Sequence, residues 1–218
     1  MNFLYKMVLK YKKNILYLVT DRSGCDMVRF RNVITDAARA GVDIVQLREK
    51  NVAFQEYKEI AKEVKEITDR YHIPLIINDD PFVASEINAA GLHIGQNDIS
   101  ITEARNIIGK KAILGISIEN IEQATSLPQH LVDYAVISPI FATTTKEDAS
   151  TPVGVENTKK IRAIIKKPLF AIGGIDIYNA RKAMLCGLDG LCVVSAIFHS
   201  SNHFKAAREL KEKINDGC

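Results

Sequence analysis

Among the side chains able to do chemistry, the densest group is Gln46-Leu47-Arg48-Glu49-Lys50, which continues the apolar pair Ile44-Val45. In an extended segment successive side chains alternate between faces, so Gln46, Arg48 and Lys50 share one side while Val45 and Leu47 take the other. Two cations on one face repel each other and lose hydration, and a bound anion relieves both costs. A salt bridge to Glu49 or another carboxylate would satisfy them; a pyrophosphate is the sharper candidate. Asn78-Asp79-Asp80 follows a second apolar run, and His93-Ile94-Gly95-Gln96-Asn97-Asp98 a third. Either Asp79 or Asp98 alone reads as a turn or helix cap. As a pair opposite Arg48 and Lys50 they suit Mg²⁺, a hard cation usually held by one or two carboxylates, water and substrate phosphate oxygens. His93 reads as a hydrogen-bonded residue at a strand end rather than as a ligand.

Three further segments point to anions. Ser138-Pro139-Ile140-Phe141-Ala142-Thr143-Thr144-Thr145-Lys146 is rich in hydroxyls and ends on an ammonium, which together make an anion clamp, although such loops are often merely solvated. Ala171-Ile172-Gly173-Gly174-Ile175 and Val193-Val194-Ser195-Ala196-Ile197 suit a phosphate, because glycines let backbone approach an anion closely. A tight turn alone is the other reading of the glycines. The inventory implies two anions, one bound by cations and metal, the other by backbone amides, in an arrangement that joins two phosphorylated small molecules.

These residues need a frame. Eight apolar runs of strand character begin at Ile15, Ile44, Leu75, Leu92, Ala112, Tyr134, Leu169 and Leu191. Between them apolar residues recur at helical spacing, as in Phe30, Val33, Ile34, Ala37 and Ala38, or Tyr57, Ile60, Ala61, Val64 and Ile67. Consecutive βα units favour closure into an α/β fold, the (β/α)₈ TIM barrel, in which reacting groups lie just past the C-terminal ends of the strands. An open doubly wound sheet is the alternative, weakened by the lack of a GxGxxG or GxxxxGK[ST] loop. The expected layout is a single domain over 1–218, with an N-terminal extension at 1–14, eight βα units over 15–198 and a C-terminal helix over 199–218.

The chain has 218 residues, 47% of them hydrophobic, and a formal net charge of +3 with its basic residues dispersed, so nucleic acid is not an expected partner. Cys25, Cys186, Cys192 and Cys218 lack metal-ligand spacing and follow no secretory leader, which suggests reduced thiols in the cytoplasm. Residues 1–13 alternate apolar Phe3, Leu4, Met7 and Leu9 with lysines: an interfacial membrane helix, or an extra helix packed on the barrel. No apolar run approaches the roughly 20 residues that span a bilayer.

In order and spacing, Tyr17-Leu18-Val19-Thr20-Asp21, the segments quoted above and Gly115-Ile116-Ser117 resemble the thiamine-phosphate synthase family from about Ile15 to Phe198. The resemblance implies a TIM-barrel transferase that couples a pyrimidine diphosphate to a carboxythiazole phosphate, or hydroxyethylthiazole phosphate, with release of pyrophosphate. It implies that Gln46, Leu47, Arg48, Glu49, Lys50, Asn78, Ser117 and Lys146 bind the pyrimidine diphosphate, with Arg48, Lys50, Lys146 and Ser117 catalytic. Asp79 and Asp98 would hold Mg²⁺. Thr143, Thr144, Thr145, Gly174, Val194 and Ser195 would hold the thiazole phosphate, and a homo-oligomer is compatible. Two departures stand out: Ile118-Glu119-Asn120 where the family often has a histidine, and Ser138 where glycine is usual. The rival readings are a thiazole tautomerase, disfavoured by the retained cations and carboxylates, and a non-catalytic phosphate-binding barrel.

Overall fold

The computed structural model describes residues 2–145 and 150–216. Their elements run α1 (Asn2–Tyr11), β1 (Ile15–Val19), α2 (Met27–Ala40), β2 (Ile44–Leu47), α3 (Phe54–Arg70), β3 (Leu75–Asn78), α4 (Pro81–Glu86), β4 (Gly91–Ile94), α5 (Ile101–Ile108), β5 (Ile113–Ile118), α6 (Ile121–Ser126), β6 (Tyr134–Ile137), α7 (Gly154–Ile164), β7 (Leu169–Ala171), α8 (Ala180–Met184), β8 (Gly190–Val193), α9 (Ser195–Phe198) and α10 (His203–Asn215). The strands pair in chain order and close β8 onto β1, with Ile15 opposite Gly190 and every pair parallel. This is the (β/α)₈ barrel, and closure rules out the open sheet.

Seven of the eight expected runs meet the strands within a residue at each end. The exception is the fifth, expected to end at Leu114, which continues to Ile118. Gly115 broke the apolar pattern for a steric reason: a Cβ there would stand 2.0 Å from the Tyr134 ring. Side chains alternate as the pleat requires. Leu16, Leu18, Val45, Leu47, Leu114 and Ile116 face outward, against a helical layer that includes Phe30, Val33 and Ile34 of α2 and Tyr57, Ala61 and Val64 of α3. Each such large apolar side chain contributes about 1.5–3 kcal/mol by leaving water. Ile15, Tyr17, Ile44, Ile76, Ile113, Tyr134 and Phe170 fill the interior.

Tyr5 and Leu9 of α1 join that interior cluster, so the N-terminal extension closes the lower end of the barrel with its apolar face. The interfacial-helix reading therefore gives way to the packed one; the side chains of Phe3, Leu4 and Lys10 lie outside the described residues. No helix of the described residues is long and apolar enough to cross a membrane.

Three aspartates tie this lower end together in the same way. Asp43, Asp133 and Asp189 each stand just before a strand, and their Oδ2 atoms accept the backbone N–H of Leu16 (2.7 Å), Leu114 (2.9 Å) and Leu169 (2.8 Å) on the neighbouring strand. Each Oδ2 also meets a cation from a helix: Lys211, Arg105 or Arg162. The Oδ1 atoms take lysines from α1 and the link that follows it: Lys12 on Asp43 (2.6 Å), Lys6 on Asp133 (3.0 Å) and Lys13 on Asp189. The buried carboxylates are thus satisfied on both oxygens, which makes their burial tolerable. Replacing Asp43 by alanine strands the Leu16 N–H and leaves two cations unpaired, one of them mostly buried. The expected loss is about 3 kcal/mol, a fall in Tm of roughly 6–12 °C, measured by thermal denaturation. Asp43→Asn, which keeps an acceptor for Leu16, should lose less.

Candidate active site

The C-terminal ends of the strands surround a cavity of about 260 Å³. From β2 and the segment after it, Gln46, Arg48 and Lys50 line the cavity, as the two-residue period requires. Thr20, at the end of β1, steadies this wall by accepting the Arg48 N–H at 3.0 Å. Asn78 and Asp79 enter from β3, Asp98 from the loop after β4 and Ser117 from β5. Across the barrel, Thr143, Thr145, Gly174, Val194 and Ser195 form the opposite wall.

Three expected site residues do not line this cavity. Leu47 is fully buried in the strand–helix layer, because its parity is opposite to that of Gln46 and Arg48. Glu49 turns away for the same reason and pairs with Arg22 at 2.8 Å. Thr144 is exposed outside the cavity, since its neighbours Thr143 and Thr145 take the inward positions. Lys146 lies outside the described residues.

The wall of cations and carboxylates is held by backbone constraints. The Tyr57 hydroxyl sits 2.8 Å from the Leu47 carbonyl oxygen and accepts the Asn78 N–H at 3.2 Å, clasping the ends of β2 and β3. Asp79 has φ +64, a left-handed backbone unusual for a residue with a Cβ, and its N–H donates to the His93 carbonyl at 2.8 Å. Asp98 accepts the Gly95 N–H at 2.6 Å. Asp79 and Asp98 lie close enough to disfavour ionisation of Asp79. Burial and then Asp98 push the Asp79 carboxyl up to about 7, against the opposing pull of Lys50 and Arg48.

The opposite wall is built by close approach. Gly173 and Gly174 have φ +101 and +62, and Cβ atoms on them would stand 2.4 Å from the Pro139 Cβ and 2.3 Å from the Ala142 carbonyl oxygen. The glycines therefore serve both readings: they turn the chain, and they let the 139–142 loop lie against the end of β7. Thr145 reaches Ser195 across this wall, Oγ1 to Oγ at 3.5 Å.

Sequence reasoning passed over Gln96 and Asn97 as contacts, although both line the cavity. Glu119, two residues beyond Ser117, and Ser138 line it as well, in keeping with the sequence reading that put Glu119 near the site and Ser138 in the hydroxyl-rich loop. The departure from the family pattern at 118–120 thus puts a carboxylate at the cavity, while Ile118 is buried facing outward. His93 is a hydrogen-bonded strand residue, as expected: its ring nitrogens meet Tyr134 Oη at 3.1 Å and Ser117 Oγ at 2.9 Å.

A closed parallel barrel with cations, a carboxylate pair and a glycine turn at its C-terminal rim defines the class of TIM-barrel enzymes that act on small molecules. Residues 16–197 match the thiamine monophosphate synthase family, and the chain belongs to that family. It is 41% identical over 195 residues to a thiamine-phosphate synthase of Clostridium botulinum (strain Hall), covering 89% of this chain and 95% of that protein. The corresponding protein of Clostridium tetani is 41% identical over 209 residues, covering 94% and 100%. Among solved structures, a thiamine phosphate pyrophosphorylase from Pyrococcus furiosus superposes with a TM-score of 0.85 at 30% identity, covering 93% of this chain and 96% of that one.

Raising the Asp79 pKa has a consequence for stability with a definite sign. A carboxyl whose folded pKa lies above its unfolded value contributes stability that is full below about pH 3.8 and is lost as the pH rises through about 7. In chelator, the Tm contribution of this group should therefore fall between about pH 4.5 and pH 7 and level off above it. Asp79→Asn, which cannot ionise, should show a flatter profile over the same range; equal slopes for the two proteins would remove Asp79 as the cause.

Proposed function

We propose that the chain is a thiamine-phosphate synthase, a transferase that joins 4-amino-2-methyl-5-hydroxymethylpyrimidine diphosphate to carboxythiazole phosphate, or to hydroxyethylthiazole phosphate, with release of pyrophosphate. The observation that carries this reading is one cavity with two unlike walls: Arg48, Lys50 and the Asp79–Asp98 pair on one side, a glycine turn with hydroxyls on the other. Family membership and the relatives at 41% identity support the same activity.

In this reading Gln46, Arg48, Lys50, Asn78 and Ser117, with Lys146, hold the pyrimidine diphosphate. Thr143, Thr145, Gly174, Val194 and Ser195 hold the thiazole phosphate. The two substrates then meet at fixed orientation, which replaces a bimolecular encounter by a positioned one. As the pyrimidine methylene loses pyrophosphate, negative charge grows on the leaving oxygens. Arg48, Lys50 and Lys146 meet that charge more strongly in the transition state than in the ground state. The thiazole nitrogen attacks the methylene carbon, and the carboxythiazole loses carbon dioxide to complete the product.

Mg²⁺ fits the carboxylate pair. Asp79 and Asp98 would supply oxygens, and the raised Asp79 pKa reflects repulsion that a cation would relieve. Among the described residues no group of three or more His, Cys, Asp or Glu side chains is placed to hold a metal ion. Two carboxylates completed by water and substrate oxygens are a common arrangement for Mg²⁺. Bound there, the ion would neutralise charge on the departing pyrophosphate. The bacterial thiamine-phosphate synthases it resembles support a cytoplasmic location.

Incubation with both precursors and Mg²⁺ should yield thiamine phosphate and pyrophosphate in equal amounts. Asp79→Ala and Lys146→Ala should each lower turnover roughly a hundredfold or more, since one such stabilising group is worth about 2.7–4 kcal/mol of barrier. Near-normal turnover of either variant at saturating Mg²⁺ would remove that residue from the site.

A further inference from the structure

Five side chains from five strands or their ends form one hydrogen-bonded chain across the barrel interior. Gln46 Nε2 donates to Tyr17 Oη at 2.8 Å, and Tyr17 Oη lies 2.8 Å from Tyr134 Oη. Tyr134 Oη lies 3.1 Å from His93 Nδ1, and His93 Nε2 lies 2.9 Å from Ser117 Oγ. The two tyrosines are sealed, both 0% exposed. Gln46, His93 and Ser117 line the cavity.

Counting protons gives the chain a direction. Each tyrosine has one O–H, and a neutral imidazole has one N–H. His93 Nδ1 and Nε2 each face a hydroxyl, Tyr134 and Ser117, so in the neutral imidazole one nitrogen accepts and the other donates. With Gln46 donating to Tyr17, the Tyr17 proton goes to Tyr134 and the Tyr134 proton to His93 Nδ1. The imidazole proton is then on Nε2 and is donated to Ser117. The Ser117 hydrogen is left to point elsewhere, and the cavity is beside it. Gln46, having turned one amino hydrogen to Tyr17, keeps its carbonyl oxygen and its second N–H, in an orientation fixed by that bond.

We infer that Tyr17, Tyr134 and His93 are positioning residues that fix the polarity of two cavity groups, so that Gln46 presents an acceptor and Ser117 a donor to the pyrimidine. This rests on the functional reading above and extends it to specificity. A 4-aminopyrimidine ring offers an amino donor and ring-nitrogen acceptors, which complement an acceptor and a donor. A 4-oxopyrimidine replaces the amino donor by a carbonyl acceptor, which the Gln46 carbonyl oxygen repels while the buried chain holds that amide in place. Sites that hydrogen-bond a particular pattern reject its mismatch far better than apolar pockets reject a change of size.

The direct test needs no substrate. ¹⁵N NMR of histidine-labelled enzyme, with the His93 signals assigned by their loss in His93→Gln, should show the Nε2–H tautomer; an Nδ1–H tautomer would overturn the proposal. Tyr134→Phe cuts the chain at its centre and should release both tautomers. In that variant KM for the pyrimidine diphosphate should rise about tenfold, with KM for the thiazole phosphate unchanged and discrimination against the 4-oxo analogue reduced. An unchanged tautomer together with unchanged KM and discrimination would show that Tyr134 sets nothing. Wild-type enzyme that has the Nε2–H tautomer yet makes no thiamine phosphate would overturn the activity proposed above while supporting the polarity of the chain.

Discussion

Closure of eight parallel strands leaves each side chain two choices, and the pleat assigns them alternately. A residue faces the helices or the interior by its parity, and its place along the strand sets its depth. The rest of the molecule follows from that constraint. At the bottom the interior is apolar, with Ile15, Ile44, Ile76 and Ile113, and α1 plugs it with Tyr5 and Leu9. In the middle the same parity brings Tyr17 and Tyr134 together, sealed from water, beneath His93 at the floor of the cavity. At the top it delivers Arg48, Asn78 and Ser117 to the cavity. The interior thus runs from dry and apolar, through dry and hydrogen-bonded, to wet and charged.

Aspartates at the two ends of the barrel differ in how their charge is met. Asp43, Asp133 and Asp189 each receive a strand N–H and two cations, so neither oxygen has capacity to spare. Asp79 and Asp98 face each other instead, with Arg48 and Lys50 only partly offsetting their repulsion, and Asp79 is held there on a left-handed backbone. Burial without full neutralisation costs stability unless something binds. Strain and unmet charge fall together at the end of β3, where the lower end of the barrel has neither.

The legible part of this was whatever obeys a short period. The parity of Gln46, Arg48 and Lys50 correctly put them on the cavity, and the same parity argued against Leu47 and Glu49. Those two were drawn in by the contiguity of the family motif, which does not distinguish the faces of a strand. The β5 extension was hidden by Gly115, whose lack of a side chain is dictated by Tyr134, 19 positions on. The aspartate clamps went unnoticed, yet their signal is a repeated one: Val42-Asp43, Val132-Asp133 and Leu188-Asp189 each put an apolar residue and an aspartate directly before a strand. What no local pattern contains is the meeting of Tyr17 with Tyr134, separated by 117 positions. That contact exists only because the barrel closes.

Packing and proton order in the interior depend on each other. Tyr17, Tyr134, Phe170 and His93 form one aromatic cluster, with ring centroids 5.5–6.0 Å apart. Gly115 is what lets Tyr134 occupy its place there, since any Cβ would strike the ring and hydroxyl. Filled space excludes water, and water is the one partner able to donate and accept at any point of such a chain. Without it, each hydroxyl and the imidazole must take the role its neighbours leave open. A looser interior would tolerate either direction of the chain and hold Gln46 and Ser117 to neither role. Dense apolar packing deep in the barrel is therefore what gives the polar groups at its mouth a single hydrogen-bonding character.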